Sequence, residues 1–232
     1  KLASLEGCRT LADQVNNYLV SFRHESPTNV GQADSLQGYC ADSYLLECEC
    51  PRFGSGEGKG VLKESVRGCD LFIMVDVTNY SLTYRVNGYE NHMSPDNHYQ
   101  DLKRIISAAD GKARRINVIM PFLYEGRQHK RSKRESLDCA LMLQELVDMG
   151  VSNILTFDAH DPRVSNSIPL HGFDSFMPTY QFLKALVNSV PDFVIDNDHL
   201  MIISPDEGAM GRAVYFSNIL GVDMGMFYKR RD

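Results

Sequence analysis

The residues best suited to chemistry follow two apolar segments that lie between residues 117 and 160. This stretch reads as an apolar strand, a basic loop, an amphipathic helix and a second apolar strand. The basic loop, residues 127–134, supplies the cations Arg127, Lys130, Arg131, Lys133 and Arg134. The second strand ends in Asp158 and His160, a candidate metal-binding or acid–base pair. Because parallel sheets bind ligands beyond the carboxyl ends of their strands, cations beside this pair favour a polyphosphate with its counter-ion.

The composition is that of an ordinary globular chain with a net negative charge. Its 232 residues are 43% hydrophobic and 23% charged, which fits one large domain or two small ones. The net charge of −6 argues against general nucleic-acid binding. No apolar run approaches the length of a membrane span, and no signal peptide opens the sequence, so we expect no membrane partner. The basic loop therefore stands out as a positive site, although a solvated loop or a localisation signal would look similar.

The cysteines indicate packing rather than disulfide or zinc chemistry. They are scattered at Cys8, Cys40, Cys48, Cys50, Cys69 and Cys139. A single C-x-C pair is weak evidence for zinc, and in a strand its side chains share one face, which is commonly a packing face. We expect reduced, structural thiols in a cytoplasmic protein.

Hydrophobic periodicity predicts the elements that must position the chemistry. We expect helices over residues 4–22, 101–109, 180–187 and 210–220, and one that Ser136 caps and Gly150 ends. We expect strands over residues 44–50, 71–77, 116–120, 153–157, 200–204 and 222–227, with residues 158–178 irregular. Short links in the strand–helix–strand segment from 116 to 157 predict that its two strands are parallel.

Three glycine-containing segments have competing interpretations. Residues 53–57, F-G-S-G-E, fit a tight turn better than a ligand loop, although an aromatic and a carboxylate could contact a base. Residues 78–98 are long for a plain loop and carry the turn signal Asn87–Gly88, so they form an insertion or a surface flap. Gly208 and Gly211 mark a strand–helix turn behind Asp206, which is a weak signal for a metal or anion site.

Several motifs occur in an order that resembles the ribose-phosphate pyrophosphokinase (phosphoribosyl pyrophosphate synthetase) family. They are F-G-S-G-E at 53–57, E-S-V-R-G-C-D at 64–70, D-L-K-R at 101–104, P-F-L-Y-E-G-R-Q at 121–128, D-A-H at 158–160, S-P-D-E-G at 204–208 and Y-K-R-R at 228–231. No single motif decides the matter, whereas the ordered set is specific. The resemblance runs from about residue 44 to the end of the chain.

The resemblance implies a transferase of nucleotide biosynthesis. Mg-ATP would give its β,γ-pyrophosphoryl group to ribose 5-phosphate, leaving AMP and phosphoribosyl pyrophosphate. The implied fold is α/β, with parallel sheets flanked by helices in phosphoribosyltransferase-like domains. Residues 1–190 would form the N-terminal domain with the ATP motifs, and 191–232 the start of a similar C-terminal domain. Dimers would assemble into a homohexamer in which neighbouring subunits share an adenine pocket.

The resemblance also implies a role for each matching residue in ATP binding. Phe53 would stack on the adenine bound by the adjacent subunit. Ser55 and Glu57 would line the same pocket. Arg127 and Gln128 would hold adenine and phosphate from the other side.

The metal and catalytic roles fall on residues from three motifs. His160 and Asp206 would hold the Mg²⁺ that bridges the ATP phosphates, with His160 less secure because Mg²⁺ prefers oxygen ligands. Lys229 and Arg231 would neutralise charge at the transferring group from a mobile catalytic loop, and His160 would also belong to the catalytic set.

The sequence departs from the family pattern at several places. His129 stands where the family often has an acid, Asp161 follows His160, and residues 78–98 look longer than usual. The family's ribose-phosphate loop, an acidic D-D-x-x-D-T-x-G-T stretch, should follow Asp232. We therefore expect a truncated chain whose 232-residue form is inactive.

Two other functions stay open on the sequence. One is a non-catalytic regulatory relative that assembles with active synthetase subunits. The other is a phosphoribosyltransferase of the same fold, whose hallmark ribose-phosphate loop is not visible. The retained site residues favour an enzyme, and the F-x-x-G-E and R-Q motifs favour ATP.

Overall fold

The computed structural model describes residues 1–25 and 40–228. The chain divides into two compact units, Lys1–Phe176 and Met177–Asp232, and each unit is described by itself. The division falls between Phe176 and Met177.

A parallel sheet forms the centre of the first unit. Its strands are β1 (Leu2–Ser4), β2 (Leu45–Leu46), β5 (Asp70–Met74), β8 (Arg115–Ile119), β9 (Val151–Phe157) and β10 (Gly172–Phe176). The order across the sheet is β10-β9-β8-β5-β1-β2, and every neighbouring pair is parallel. The predicted parallel pairing of the strands on either side of the basic loop is therefore confirmed as β8 next to β9.

Helices cover both faces of this sheet because the side chains of β5 alternate between two apolar clusters. Leu71 and Ile73 belong to the main core with helices α2 (Pro95–Ala108) and α3 (Asp138–Asp148). Met74 belongs to the smaller cluster on the opposite face, where Ala12 of helix α1 (Arg9–Glu25) packs. The α/β fold that the resemblance implied is thus confirmed.

The helix ends correct two predictions. Helix α2 begins at Pro95, six residues before the predicted start, because Ser94 accepts a hydrogen bond from the Asn97 amide and proline fits the first helical position. Ser136 does not cap α3. Leu137 occupies the N-cap without a side-chain hydrogen bond, and the Ser136 hydroxyl donates to Asp138 instead.

Two short antiparallel pairs extend from the sheet. Strand β3 (Cys48–Glu49) pairs with β4 (Val61–Leu62), and the glycine-containing residues 53–57 lie between them. Strand β6 (Thr83–Val86) pairs with β7 (Tyr89–His92) in a hairpin that occupies the predicted insertion. Its turn residues Asn87 and Gly88 have φ of 50° and 87°, the left-handed conformation that suits a two-residue hairpin loop.

The C-x-C pair has a packing role. Cys48 is buried, its thiol donates to the Ser4 carbonyl oxygen, and burial raises its pKa to about 11. Burial likewise raises the pKa of Cys50 to about 12. All cysteines of the chain are free, and these two thiols are protonated at neutral pH.

Residues 158–178 are more regular than predicted. They contain a 3₁₀ helix, Pro162–Ser167, and the edge strand β10. The side chains of β10 alternate only between exposed and half-buried, so the strand lacks the apolar pattern that marks a core strand.

Along the chain, the second unit begins with a helix and continues with one strand–helix–strand motif. Helix α4 (Thr179–Ser189) comes first, followed by strand β11 (Ile202–Ser204), a 3₁₀ turn (Glu207–Ala209), helix α5 (Met210–Leu220) and strand β12 (Met224–Met226). Strands β11 and β12 are parallel, and α5 has the predicted bounds. Within residues 1–25 and 40–228, no helix is long and apolar enough to cross a membrane.

Candidate functional site

A compact turn after β8 leads into the basic loop. The Gly126 amide donates to the Leu123 carbonyl at 3.1 Å, and the Gln128 amide donates to the Glu125 carbonyl at 2.9 Å. A Cβ at Gly126 would lie 3.0 Å from the Leu123 oxygen, so a larger residue would crowd the turn. Buried Leu123 anchors the turn in the main core. The sheet and its core thus fix the backbone position of the turn that Arg127 directly follows.

Tyr124 ties the same turn to helix α2. Its hydroxyl donates to Asp96 Oδ1 at 2.6 Å, and its ring stacks on Tyr99 with centroids 4.5 Å apart. Burial and the neighbouring Asp96 carboxylate raise the pKa of the Tyr124 phenol well above its usual range. The phenol therefore stays protonated and keeps donating at any physiological pH.

The predicted ATP-binding residues of this loop, Arg127 and Gln128, differ in exposure and in side-chain hydrogen bonding. The Arg127 side chain is exposed, as are the other cations of the basic loop. Gln128 is half-buried, and its side-chain amide donates to the Ser136 carbonyl at 2.7 Å across the base of the loop. Gln128 therefore helps to fix the shape of the loop.

The end of β9 lies beside this loop. Asp158 adopts a left-handed φ of 44°, and its amide donates to the Phe176 carbonyl at 2.9 Å. The Ala159 amide donates to Ser175 Oγ at 2.9 Å. These bonds to the end of β10 hold the backbone that presents the exposed His160.

His129 connects the two segments. Its ring centroid lies 5.1 Å from that of His160, so the predicted meeting of the β8 and β9 ends is confirmed. His129 Nε2 also lies 3.5 Å from Asp161 Oδ2, and both side chains are nearly buried. The sequence analysis identifies His129 and Asp161 only as departures from the family pattern. The structure brings these two departures into contact with each other.

Arg163 fixes the Asp161 carboxylate. Its guanidinium donates from Nε to Asp161 Oδ1 at 2.9 Å, and its backbone amide donates to the same oxygen at 3.0 Å. These hydrogen bonds hold the pKa of Asp161 well below its usual range. The Asp161 carboxylate is therefore negatively charged at neutral pH and lies next to His129.

Residues 53–57, called here the Phe53 turn, form the predicted tight turn. The Phe53 amide donates to the Glu57 carbonyl at 2.7 Å, and the Gly56 amide donates to the Phe53 carbonyl at 2.9 Å. Ser55 Oγ donates to Glu57 Oε2 at 2.9 Å. The Phe53 side chain is 53% exposed, which leaves its ring free to stack on a ligand. The role of these side chains in an adenine pocket stays a prediction.

A buried charge cluster supports the base of the Phe53 turn. Arg52 donates two hydrogen bonds to Asp101, at 2.6 and 2.8 Å, and the two side chains are only 10% and 7% exposed. Arg104 donates to the same carboxylate at 2.6 Å. A Cβ at Gly60 would lie 2.4 Å from the Arg104 carbonyl oxygen. The D-L-K-R motif thus provides the acid of this cluster, whereas no sequence motif identified its partner Arg52.

The remaining predicted site residues lie outside the first unit. The Asp206 side chain accepts a hydrogen bond from the Ala209 amide at 3.1 Å and caps the turn that leads into α5. Lys229 and Arg231 fall outside the described residues. In the described parts of the chain, no three His, Cys, Asp or Glu side chains cluster in a way that could hold a metal ion.

The fold and site define a phosphoribosyltransferase-like α/β domain with a cationic loop and a D-A-H ending at one edge of its sheet. A sequence profile of the N-terminal domain of ribose phosphate pyrophosphokinase matches residues 1–150. The chain therefore belongs to the ribose-phosphate pyrophosphokinase family.

Individual relatives agree with this assignment. Ribose-phosphate pyrophosphokinase of Staphylococcus epidermidis is 28% identical over 191 residues, covering 81% of this chain and 53% of the relative. The enzyme of the same name from Oceanobacillus iheyensis is 26% identical with the same coverage. The chain thus spans about half the length of these relatives. The crystal structure of phosphoribosylpyrophosphate synthetase from Mycobacterium smegmatis aligns with a TM-score of 0.74 at 23% identity, covering 100% of this chain and 64% of that one.

Proposed function

We propose that the protein transfers the pyrophosphoryl group of Mg-ATP to ribose 5-phosphate, forming phosphoribosyl pyrophosphate and AMP. The observation that carries the proposal is the contact between His129 and His160, which joins the loop after β8 to the end of β9. The exposed cations of the basic loop and the exposed His160 support the proposal, because they follow strands β8 and β9 at their carboxyl ends, where parallel α/β folds bind ligands.

The chemistry asks the protein mainly for positioning and charge neutralisation. Arg127 is exposed directly beside the fixed turn, so it can pair with a phosphate or contact adenine. His160 projects from a backbone that β10 holds in place. On the other side of the nucleotide, an exposed Phe53 from a neighbouring subunit would stack on the base, with Ser55 and Glu57 beside it.

We infer that a magnesium ion would be bound mainly through its substrate. Mg²⁺ commonly takes one or two protein ligands and keeps phosphate oxygens and water in its remaining positions. His160 would be the protein ligand that the first unit supplies, and Asp206 stays the candidate ligand of the second unit. When bound, Mg²⁺ would neutralise charge on the ATP phosphates. Such a site needs no cluster of three protein ligands.

Other parts of the proposal rest on family membership. Lys229 and Arg231 would neutralise charge that develops during transfer. The homohexamer would complete the adenine pocket between subunits. A regulatory subunit without activity of its own is the competing function, because His129 and Asp161 depart from the family pattern.

Steady-state kinetics of the intact protein test the proposal. We expect AMP and phosphoribosyl pyrophosphate to form in equal amounts, and Arg127→Ala to lower the rate on the order of a hundredfold. Lys112→Ala is the control and should leave the rate unchanged, because it removes an exposed cation that precedes β8 and lies outside the basic loop. An intact protein that forms no product alone but alters the activity of an added synthetase would favour the regulatory function.

A further inference from the structure

The β6–β7 hairpin has no part in the function proposed above. It occupies the segment that the sequence analysis predicted to be an insertion or a surface flap, and no residue between 78 and 98 belongs to the main core cluster. The hairpin therefore lies outside the main core and can serve another purpose.

The hairpin is firmly attached at its root. The buried His98 Nε2 lies 2.6 Å from the Asn79 carbonyl oxygen. His92 stacks on Tyr80 with ring centroids 4.3 Å apart, and His92 Nδ1 lies 2.8 Å from the Tyr80 carbonyl oxygen. Four cross-strand residue pairs continue from there to the tip. The tip is therefore held at a defined place.

The hairpin tip lies against the Phe53 turn. The Asn87 amide donates to the Gly54 carbonyl at 3.0 Å, which links the two backbones directly. A Cβ at Gly56 would lie 2.9 Å from Val86 Cγ2, so only glycine lets the turn approach the hairpin this closely. Gly56 also has a φ of 91°, which other residues rarely adopt.

The inward face of the hairpin reaches the charge cluster below the turn. The Arg52 guanidinium lies 5.2 Å from the centre of the Tyr84 ring, a cation–π distance, while it also pairs with Asp101. Tyr84 and Val86 are half-buried, whereas Arg85 between them is exposed, as expected for alternating strand positions. One face of β6 thus contacts both the turn and its base.

From these contacts we infer that the β6–β7 hairpin is a positioning element that fixes the Phe53 turn and so sets the affinity for the adenine base. The adenine half of this inference rests on the proposed function. A turn that is already ordered loses less conformational freedom when a ligand binds, so the base contributes more to the affinity. Tyr84 and Val86 act through the turn and touch no ligand themselves.

Amide hydrogen exchange tests the first half without any nucleotide. Val86→Ala and Tyr84→Ala should each speed exchange at the Phe53 and Gly56 amides, which form the hydrogen bonds of the turn. Arg85→Ala, on the outward face of the same strand, should leave both amides unchanged. Unchanged exchange in both inward variants would overturn the inference.

Calorimetry of the intact protein tests the second half. We expect the Kd of Mg-ATP to rise about five- to tenfold in the inward variants, a fraction of a base-stacking contribution, and the Kd of Mg-tripolyphosphate to stay the same. Equal losses for both ligands, or no loss for either, would overturn the role in adenine affinity. A wild-type protein that does not bind Mg-ATP would contradict the proposed function and the adenine half together. Hydrogen exchange alone would then decide whether the hairpin holds the turn.

Discussion

At the scale of single residues, exposed groups that could contact a ligand rest on buried groups that fix them. Arg127 and His160 are exposed, while Leu123 and the hydrogen bonds to β10 hold the backbone beneath them. Phe53 is exposed above the buried pair of Arg52 and Asp101. Fixed geometry of this kind lets binding groups act without reorganisation when the ligand arrives.

The Phe53 ring should contribute to nucleotide affinity. We expect Phe53→Ala to weaken Mg-ATP binding by about 1–3 kcal/mol, because the ring would no longer stack on the base. Tyr18→Ala is a suitable control, since it removes an exposed aromatic ring from helix α1. Calorimetry would measure both affinities, and an unchanged affinity in Phe53→Ala would contradict the adenine pocket.

Asp101 should matter for stability rather than for chemistry. Asp101→Asn leaves Arg52 and Arg104 without their carboxylate in a buried position, so we expect a loss of about 3–5 kcal/mol in the free energy of unfolding. Asp110→Asn removes a carboxylate from an exposed ion pair with Lys112 and should change little. Urea denaturation would compare the two variants, and similar small losses would show that the cluster does not stabilise the fold.

At the scale of elements, charge pairs also lock the register of the sheet. Asp70 begins β5 opposite Arg115, the first residue of β8, and accepts hydrogen bonds from both Arg114 and Arg115. The hydrogen bonds from Arg115 and Arg114 hold the pKa of the Asp70 carboxyl well below its usual range. A carboxylate of this kind stabilises the folded chain above the pKa of the unfolded state.

The stability of the protein should therefore depend on Asp70 in acid. Its contribution is fully present above about pH 4, the ordinary pKa of an aspartate, and is lost as the pH falls through the lower folded-state value. Asp70→Asn should make the protein less stable at pH 7 and reduce the further loss on acidification. Chemical denaturation between pH 7 and pH 2 would measure this, and parallel curves for wild type and variant would contradict it.

Elements with a strong apolar signal could be predicted from the sequence, and those stabilised by local bonds could not. Strand β8 lies within one residue of its predicted position, and α5 has its predicted bounds, because apolar period and turn signals agree there. Strand β10 was missed since its side chains reach only half-burial at the edge of the sheet. The first turns of α2 were missed because its Ser94–Pro95 start is set by a cap rather than by apolar spacing.

At the scale of the whole molecule, the candidate site likewise combines features that sequence patterns predict with contacts that they do not. The order of motifs predicted the family, and the parallel pairing predicted that Arg127 and His160 come from neighbouring strand ends. The contact of His129 with Asp161 and the support of the Phe53 turn by the hairpin join residues far apart in the chain. Local sequence patterns do not encode such contacts.

Lys229 should act on the transfer step rather than on binding. In the intact protein we expect Lys229→Ala to lower kcat far more than it weakens ATP affinity, because the cation would stabilise charge that develops during transfer. Lys184→Ala, on helix α4, is the control for loss of a lysine elsewhere in the second unit. Turnover and ATP affinity would be measured on the same preparations. An equal fall in turnover and affinity would assign Lys229 to ground-state binding.

The fate of the β-phosphorus of ATP tests the central claim most directly. The intact protein would be given ribose 5-phosphate and Mg-ATP labelled at the β-phosphorus, and the label would be followed by chromatography. Transfer of the whole pyrophosphoryl group predicts that the label leaves with phosphoribosyl pyrophosphate and that unlabelled AMP remains. Label retained in ADP, or recovered only in unreacted ATP, would contradict pyrophosphoryl transfer by this protein.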